Sequence, residues 1–305
     1  MKTGVNLINF GPGASPESLR SWALLSESLG YHLLITCDHI SITPDVHSRY
    51  PAPFYEPLST LGWLAGVTTQ IEIGTTVIVL PYRNILETAR ATANIDQLSG
   101  GRLILGVGIG WSQQEFTALR VPFSQRGAIT NEYLEALKLL WTQDVASYQG
   151  QFVSFTEVHT GPRPLQSPRP PIWVGGPSDA ALRRAVGYGD AWHPIRISMD
   201  WFMNTGIPRL RAIAAEQDRP APALCPRIKL RLTDRALPDE DRLVGEGSLE
   251  QVRRDLAQLE ELGCRYVLLD TFYDDLEAVK HNEAAWSILA VMAEKVLDLK
   301  NQTVR

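Results

Sequence analysis

Short apolar runs alternate with amphipathic segments along the whole chain of 305 residues. Eight runs have the length and β-branched content of strands: 4–9, 31–37, 71–79, 102–110, 171–176, 190–195, 226–232 and 265–270. Between and after them, apolar positions recur at helical spacing over 15–29, 56–68, 84–98, 124–141, 178–187, 200–216, 248–262 and 276–297. Strand–helix alternation through eight pairs predicts an α/β fold, a parallel sheet faced by helices. At this length eight pairs fit a (β/α)8 TIM barrel, and a doubly wound open sheet is the competing arrangement. One domain is expected over 1–297, with a tail, 298–305, that frays.

Two connections are longer than their places in the pattern require. About sixty residues separate the fourth strand from the fifth, well beyond one helix. Within them, 145–168 holds two alternating apolar runs around a Gln-Gly turn and a Pro-rich return, which predicts an inserted hairpin and loop over the barrel mouth. The second connection, DHISITPDVHSRYPAPFYEP, begins at Asp38, where the second strand ends. Long loops at the C-terminal ends of barrel strands are where this architecture places its chemistry.

Composition narrows the function. With 44% hydrophobic and 21% charged residues the chain is of ordinary globular make-up, and its net charge of −5 argues against nucleic acid as a partner. No apolar run approaches the roughly 18 residues of a membrane span. The first residues contain too short an apolar stretch for a secretion signal. Three cysteines, Cys37, Cys225 and Cys264, lie far apart without a CxxC pair, a usage that fits a reducing, cytoplasmic setting and no zinc site.

Candidate chemistry gathers where strands end. Asp38 and His39 close the second strand; His exchanges protons near neutral pH and a neighbouring carboxylate can fix its tautomer, although the same pair also suits a loop start. Gly74, Thr75 and Thr76 interrupt the third strand, as a bulge or a close backbone approach would. Gly106, Gly108 and Gly110 fall at every second residue of the fourth, so they share one face, and Trp111 stands where a dinucleotide fingerprint needs its last glycine. A bare strand face leaves room for something flat that Trp111 could wall, or for close packing. Gly175, Gly176 and Ser178 begin a helix, a natural anion seat, though Asp179 in the first turn caps it equally well. Trp192, His193 and Arg196 stand at the end of the sixth strand, near the same rim. No metal-ligand spacing and no HExxH, GxSxG or Walker motif is found.

Taken together, residues 77–119, with DHI at 38–40 before them and 168–194 after, resemble the luciferase-like flavin monooxygenase superfamily, most closely its F420-dependent oxidoreductase branch. The resemblance extends over residues 1–297. It implies a TIM barrel with an insertion after the fourth strand, a homodimer, and F420 or FMN held in the barrel mouth. It places His39, with Asp38, at the cofactor ring, and a bulge behind the ring, often with a non-prolyl cis peptide, at Gly74–Thr76. It puts Gly106 to Gly110 under the ring, where Trp111 by its position could wall the cofactor, and the phosphate at Gly175, Gly176 and Ser178. The expected reaction is hydride transfer between F420 and a small organic substrate, with His39 catalytic.

The chain also departs from that branch. Its sugar-phosphate and alcohol dehydrogenases carry a catalytic Glu where Trp111 stands, and a Trp where Ile42 and Thr43 stand. Glu56 and Glu115 are the possible substitutes, although each reads first as a helix-start residue. The alternatives are an FMN-dependent monooxygenase supplied by a separate flavin reductase, a flavin-binding barrel without turnover, and a metal-dependent hydrolase on the same fold.

Overall fold

The computed structural model describes residues 1–305 except Asp241, Tyr273 and Ala278. Its strands are β1 (Lys2–Leu7), β2 (Leu33–Thr36), β3 (Glu72–Thr75), β4 (Leu103–Gly108), β5 (Ile172–Gly175), β6 (Ala191–His193), β7 (Ala223–Leu224 and Arg227–Lys229) and β8 (Tyr266–Asp270). All pair in parallel, in the order β6–β5–β4–β3–β2–β1–β8, with β7 at both ends of the path. Across β7, Cys225 N–H donates to Trp192 O at 2.9 Å and Leu268 N–H donates to Pro226 O at 2.9 Å, so this segment bonds on both flanks. The result is a curled parallel sheet of TIM-barrel type.

The main helices are α1 (Pro16–Leu29), α2 (Pro57–Val67), α3 (Ile85–Ser99), α4 (Arg126–Thr142), α5 (Asp179–Tyr188), α6 (Ile207–Glu216), α7 (Leu249–Glu261) and α8 (Glu283–Lys295). Their ends are written locally. Ser15 and Ser18 form a capping box at α1, Ser248 and Gln251 another at α7, and Gly30 and Gly100 take the left-handed conformation that stops α1 and α3. None of the described helices is long and apolar enough to cross a membrane.

Side chains inside the curl change character along the strands. Leu33, Ile35, Ile104, Trp173, Tyr266 and Leu268 form one apolar cluster there. Two residues further along the same inward faces stand Cys37, Gly106, Gly175 and Asp270, joined by Asn6, His193, Arg227 and Lys229. Large apolar residues therefore fill the N-terminal half, while glycine and polar groups occupy the half that opens at the strands' C-terminal ends.

Three expectations need correction. The residues 145–168 do form a hairpin, Val145–Gln149 against Ser154–His159, but it does not cover the mouth. Its turn is held by Glu132 of α4, which accepts the N–H groups of Gln151, Phe152 and Val153, and its return is held by Arg90, Gln97 and Asp96 of α3. It thus lies along the outer helices. The tail does not fray: Leu297–Asp298 pairs with Thr303–Val304, and Val304 N–H donates to Glu260 at 3.2 Å. The last helix starts at Glu283 rather than 276, directly after Asn282, whose side chain bonds Trp22 Nε1 and Gly13 O.

The inner glycines are space constraints. A Cβ on Gly106 would stand 2.0 Å from Thr75 O, whereas one on Gly66, exposed in α2, would meet nothing within 4 Å. Gly106→Ala is expected to destabilise the protein by about 3 kcal/mol or more, at the upper end of overpacking costs. Gly66→Ala should stabilise it by about 0.5–1 kcal/mol through helix propensity. Chemical denaturation of the two variants tests the contrast.

Candidate active site

The mouth is organised by a bulge. Gly74 pairs with Ile104, but Ile78 pairs with Val107, so the chain leaving β3 carries one residue more than the β4 stretch it faces. The Thr76–Val77 peptide is cis. β4 accommodates this because Cβ atoms would lie 2.4 Å from Ile104 O at Gly74, 2.0 Å from Thr75 O at Gly106 and 2.4 Å from Val77 Cγ2 at Gly108. A Cβ at Gly110 would meet Phe116 at 2.8 Å and Val79 at 2.9 Å. The space the inner glycines clear is filled from within the protein: Gly74 and Gly106 admit the backbone of the facing segment, Gly108 admits the Val77 side chain, and Gly110 admits those of Phe116 and Val79. The bulge itself presents a surface, for Val77 is half-buried while 73–76 and 78–82 are buried. Gly175 lies beside it, its Cβ position 3.1 Å from Val77 Cγ1.

The bulge is fastened through Thr75, Thr76 and Val79. Thr75 Oγ1 donates to Gly106 O at 2.7 Å, and Val79 N–H donates to Asp38 at 2.8 Å. Asp38 further takes Arg83 in a two-point pair at 2.6 and 2.8 Å. Its carboxylate is thereby committed to the bulge and not to His39, which corrects the expected pairing. His193 sits behind Thr76. Its Nδ1–H donates to Cys225 O at 2.6 Å, so Nε2 accepts from Thr76 Oγ1 at 2.7 Å. Burial pushes this imidazole down to about 4, which keeps it neutral and structural.

His39 finds another acid. Its Nδ1–H donates to Glu115 Oε2 at 2.7 Å, and Glu115 Oε1 accepts the N–H groups of Ile40 at 2.7 Å and Ser41 at 3.0 Å. The Glu115 side chain is fully buried. Burial opposes its charge, but the His39 hydrogen bond, the His39 charge and the two N–H groups outweigh that and hold its carboxyl below the usual range. Around His39 stand Tyr50, stacked at 5.2 Å, and Trp111, edge-on at 5.7 Å and 42% exposed. Arg49 lies 5.2 Å from the Trp111 ring. Glu56, the other substitute, is a helix-start residue as read: it caps α2 through Ser59 N–H at 2.7 Å and pairs with Arg83 at 2.8 Å.

Sequence reasoning missed a third group. Asp270 accepts Arg227 at 2.7 and 3.0 Å, Lys229 at 2.9 Å and Asn6 at 2.9 Å. Arg227 also donates to Thr76 O at 3.0 Å, joining this cluster to the bulge. Burial works against the Asp270 charge, but Arg227 and Lys229 prevail and hold the carboxyl low. The available signal was polar residues on inward positions of apolar strands, Arg227 and Lys229 about Ile228, and Asp270 closing YVLLD.

At α5, Gly176 has φ +108°, and Trp192 Nε1–H fixes the loop by donating to Gly176 O at 2.9 Å. Ser178 caps Ala181 N–H at 3.3 Å, and the other first-turn N–H groups have no partner inside the helix. Asp179 turns away to Arg209, whose Nε lies 3.0 Å from it, so its charge does not close the seat. Arg196, at the same rim, pairs with Asp274.

The family model for luciferase-like monooxygenases matches residues 1–236. An uncharacterised protein of Mycobacterium tuberculosis is 28% identical over 245 residues, covering 73% of this chain and 86% of that protein. An FMNH(2)-dependent dimethylsulfone monooxygenase of Pseudomonas putida is 34% identical over 146 residues, 47% of this chain and 37% of that enzyme. Among solved structures, an F420-dependent secondary alcohol dehydrogenase in complex with an F420-acetone adduct superposes with a TM-score of 0.75 at 15% identity, covering 94% of this chain and 98% of its own. Fold and sequence agree, and the chain belongs to the luciferase-like monooxygenase family.

Proposed function

We propose that this protein is an oxidoreductase that acts on a small organic substrate, with F420 held at the mouth of a closed (β/α)8 barrel whose insertion follows β4. The observation that carries the reading is the buried His39–Glu115 pair at the end of β2, where the adjacent Asp38 is bonded to Val79 of the bulge and Val77 of the same bulge is half-buried. The residues fit a cofactor with a flat tricycle and a phosphate: Val77 and Gly175 offer a surface without protruding polar groups, and the 175–178 turn offers first-turn N–H groups. F420 when bound would supply two-electron hydride chemistry, which the protein orients.

The chain's own part is proton handling and placement. Glu115 fixes the Nδ1–H tautomer of His39, so Nε2 is the atom left to take or give a proton at the substrate. Tyr50, Phe54 and Trp111 enclose the imidazole on its sides and limit water around it. Thr75, Thr76 and Asp38 hold the bulge in register, and Gly106, Gly108 and Gly110 give it room. Glu115 thus stands in for the acid that Trp111 replaces.

A second reading, a monooxygenase using reduced FMN from a separate reductase, is favoured by the dimethylsulfone monooxygenase relative. Both cofactors share the features that Val77 and the 175–178 turn address. Absorbance titration of the purified protein is expected to give a tight complex with F420; tight binding of FMN with none of F420 reverses the order.

His39→Ala is expected to lower turnover about 10²–10⁴-fold, the range for a positioned general acid or base, with far-UV circular dichroism unchanged. His39→Gln, which retains a donor for Glu115, should fall in the same range. Glu115→Gln presents an amide N–H to Nδ1 and so reverses the tautomer; kcat should drop and its pH dependence change while KM stays within a few-fold. Unchanged kinetics in these variants would remove the pair from the mechanism.

A further inference from the structure

Within the mouth, the charges do not cancel at one place. Arg227 and Lys229 bear two positive charges against the single carboxylate of Asp270. The other groups in contact bring none: Asn6 and Thr76 are neutral, burial pushes the Cys37 thiol up, and His193 is held neutral. Among the described residues, other acids near the mouth are engaged elsewhere, Glu115 with His39, Asp38 and Glu56 with Arg83, Asp45 with Thr43 and Ser112, and Asp274 with Arg196. Lys229 has three donors. Two are taken, by Asp270 and by Phe272 O, and among the described residues no acceptor takes the third. Two buried cations that share one carboxylate are costly unless a ligand completes the set. The Arg227 and Lys229 side chains retain 9% and 10% exposure, so they line the floor of an opening and not a sealed core.

We propose that this floor is an oxyanion site that selects substrates bearing a carboxylate or sulfonate, with the acid group docked on Lys229 and Arg227 while Asp270 holds the two side chains in place. The inference rests on the reading of the mouth as the active site and adds the chemical class of substrate. It polarises the cavity: a proton-handling pair on the side of β2 and β4, a fixed positive charge on the side of β7 and β8. The same positive charge could instead answer a negative charge on the reduced cofactor ring, and the test separates these two sources.

Calorimetric titration of the cofactor-free protein with benzoate and benzamide, and with methanesulfonate and dimethylsulfone, compares probes of similar shape and different charge. The charged member of at least one pair is expected to bind tenfold or more tightly than its neutral counterpart. Lys229→Met should abolish that preference and Lys229→Arg should keep it, with cofactor affinity in Lys229→Met within twofold of the parent. Should Lys229→Met fail to fold, Lys229→Gln, which keeps a donor for Phe272 O, serves the comparison. Equal binding within both pairs overturns the proposal. So does a tenfold loss of cofactor affinity in Lys229→Met with the anion preference intact. A protein that prefers the anions but binds neither F420 nor FMN retains the oxyanion site and sinks the redox reading instead.

Discussion

The structure depends on how closely the backbone of residues 75–79 lies against β4. That approach leaves no room for a side chain at Gly106 or Gly108. Once it is made, the rest of the mouth is built from its consequences. The extra residue turns Val77 into the opening, offers Val79 N–H to Asp38, and carries Thr76 to both His193 and Arg227. Strands from opposite sides of the curl are thus tied to a single stretch of five residues. A bulge in this position is a device for aiming groups, and its cost is borne by strands that give up side chains to admit it.

Much of this was legible in the sequence. All eight runs became strands and all eight periodic segments contain a helix, because strand and helix periods and local caps such as Ser15 and Ser248 point the same way. Gly74 marked the third strand for a bulge or a close backbone approach, and the structure has both. Gly106 and Gly108 of β4 marked a bare strand face, and of the two readings that face allowed, a flat ligand or close packing, the structure shows close packing by residues 75–77. Alternating glycine records that something is near without saying whether it is a ligand or a neighbouring strand.

The partner of His39 was hidden for a related reason. Ser112 and Glu115 have the spacing of a capping box, and half of that box forms, since Ser112 Oγ accepts Glu115 N–H at 3.0 Å. The Glu115 side chain does not return to the helix start; it crosses to a loop 76 positions earlier in the chain. Local rules describe the backbone of such a residue correctly and are silent on the direction of its carboxylate. Asp38 shows the converse, a neighbour of His39 in sequence whose side chain belongs to Arg83. Arg227, Lys229 and Asp270 escaped notice because the first two read as the polar positions of an alternating strand and the third as an acid at a strand end, and their meaning lies in meeting one another.

Glu115 grips the loop after β2 through the main-chain N–H groups of Ile40 and Ser41, not through their side chains. Any residue other than proline provides the same N–H. The side chains at these two positions are therefore free to diversify without disturbing the proton-bearing imidazole. One scaffold can in this way exchange the wall that meets its guest molecule while the acid–base element behind it stays constant.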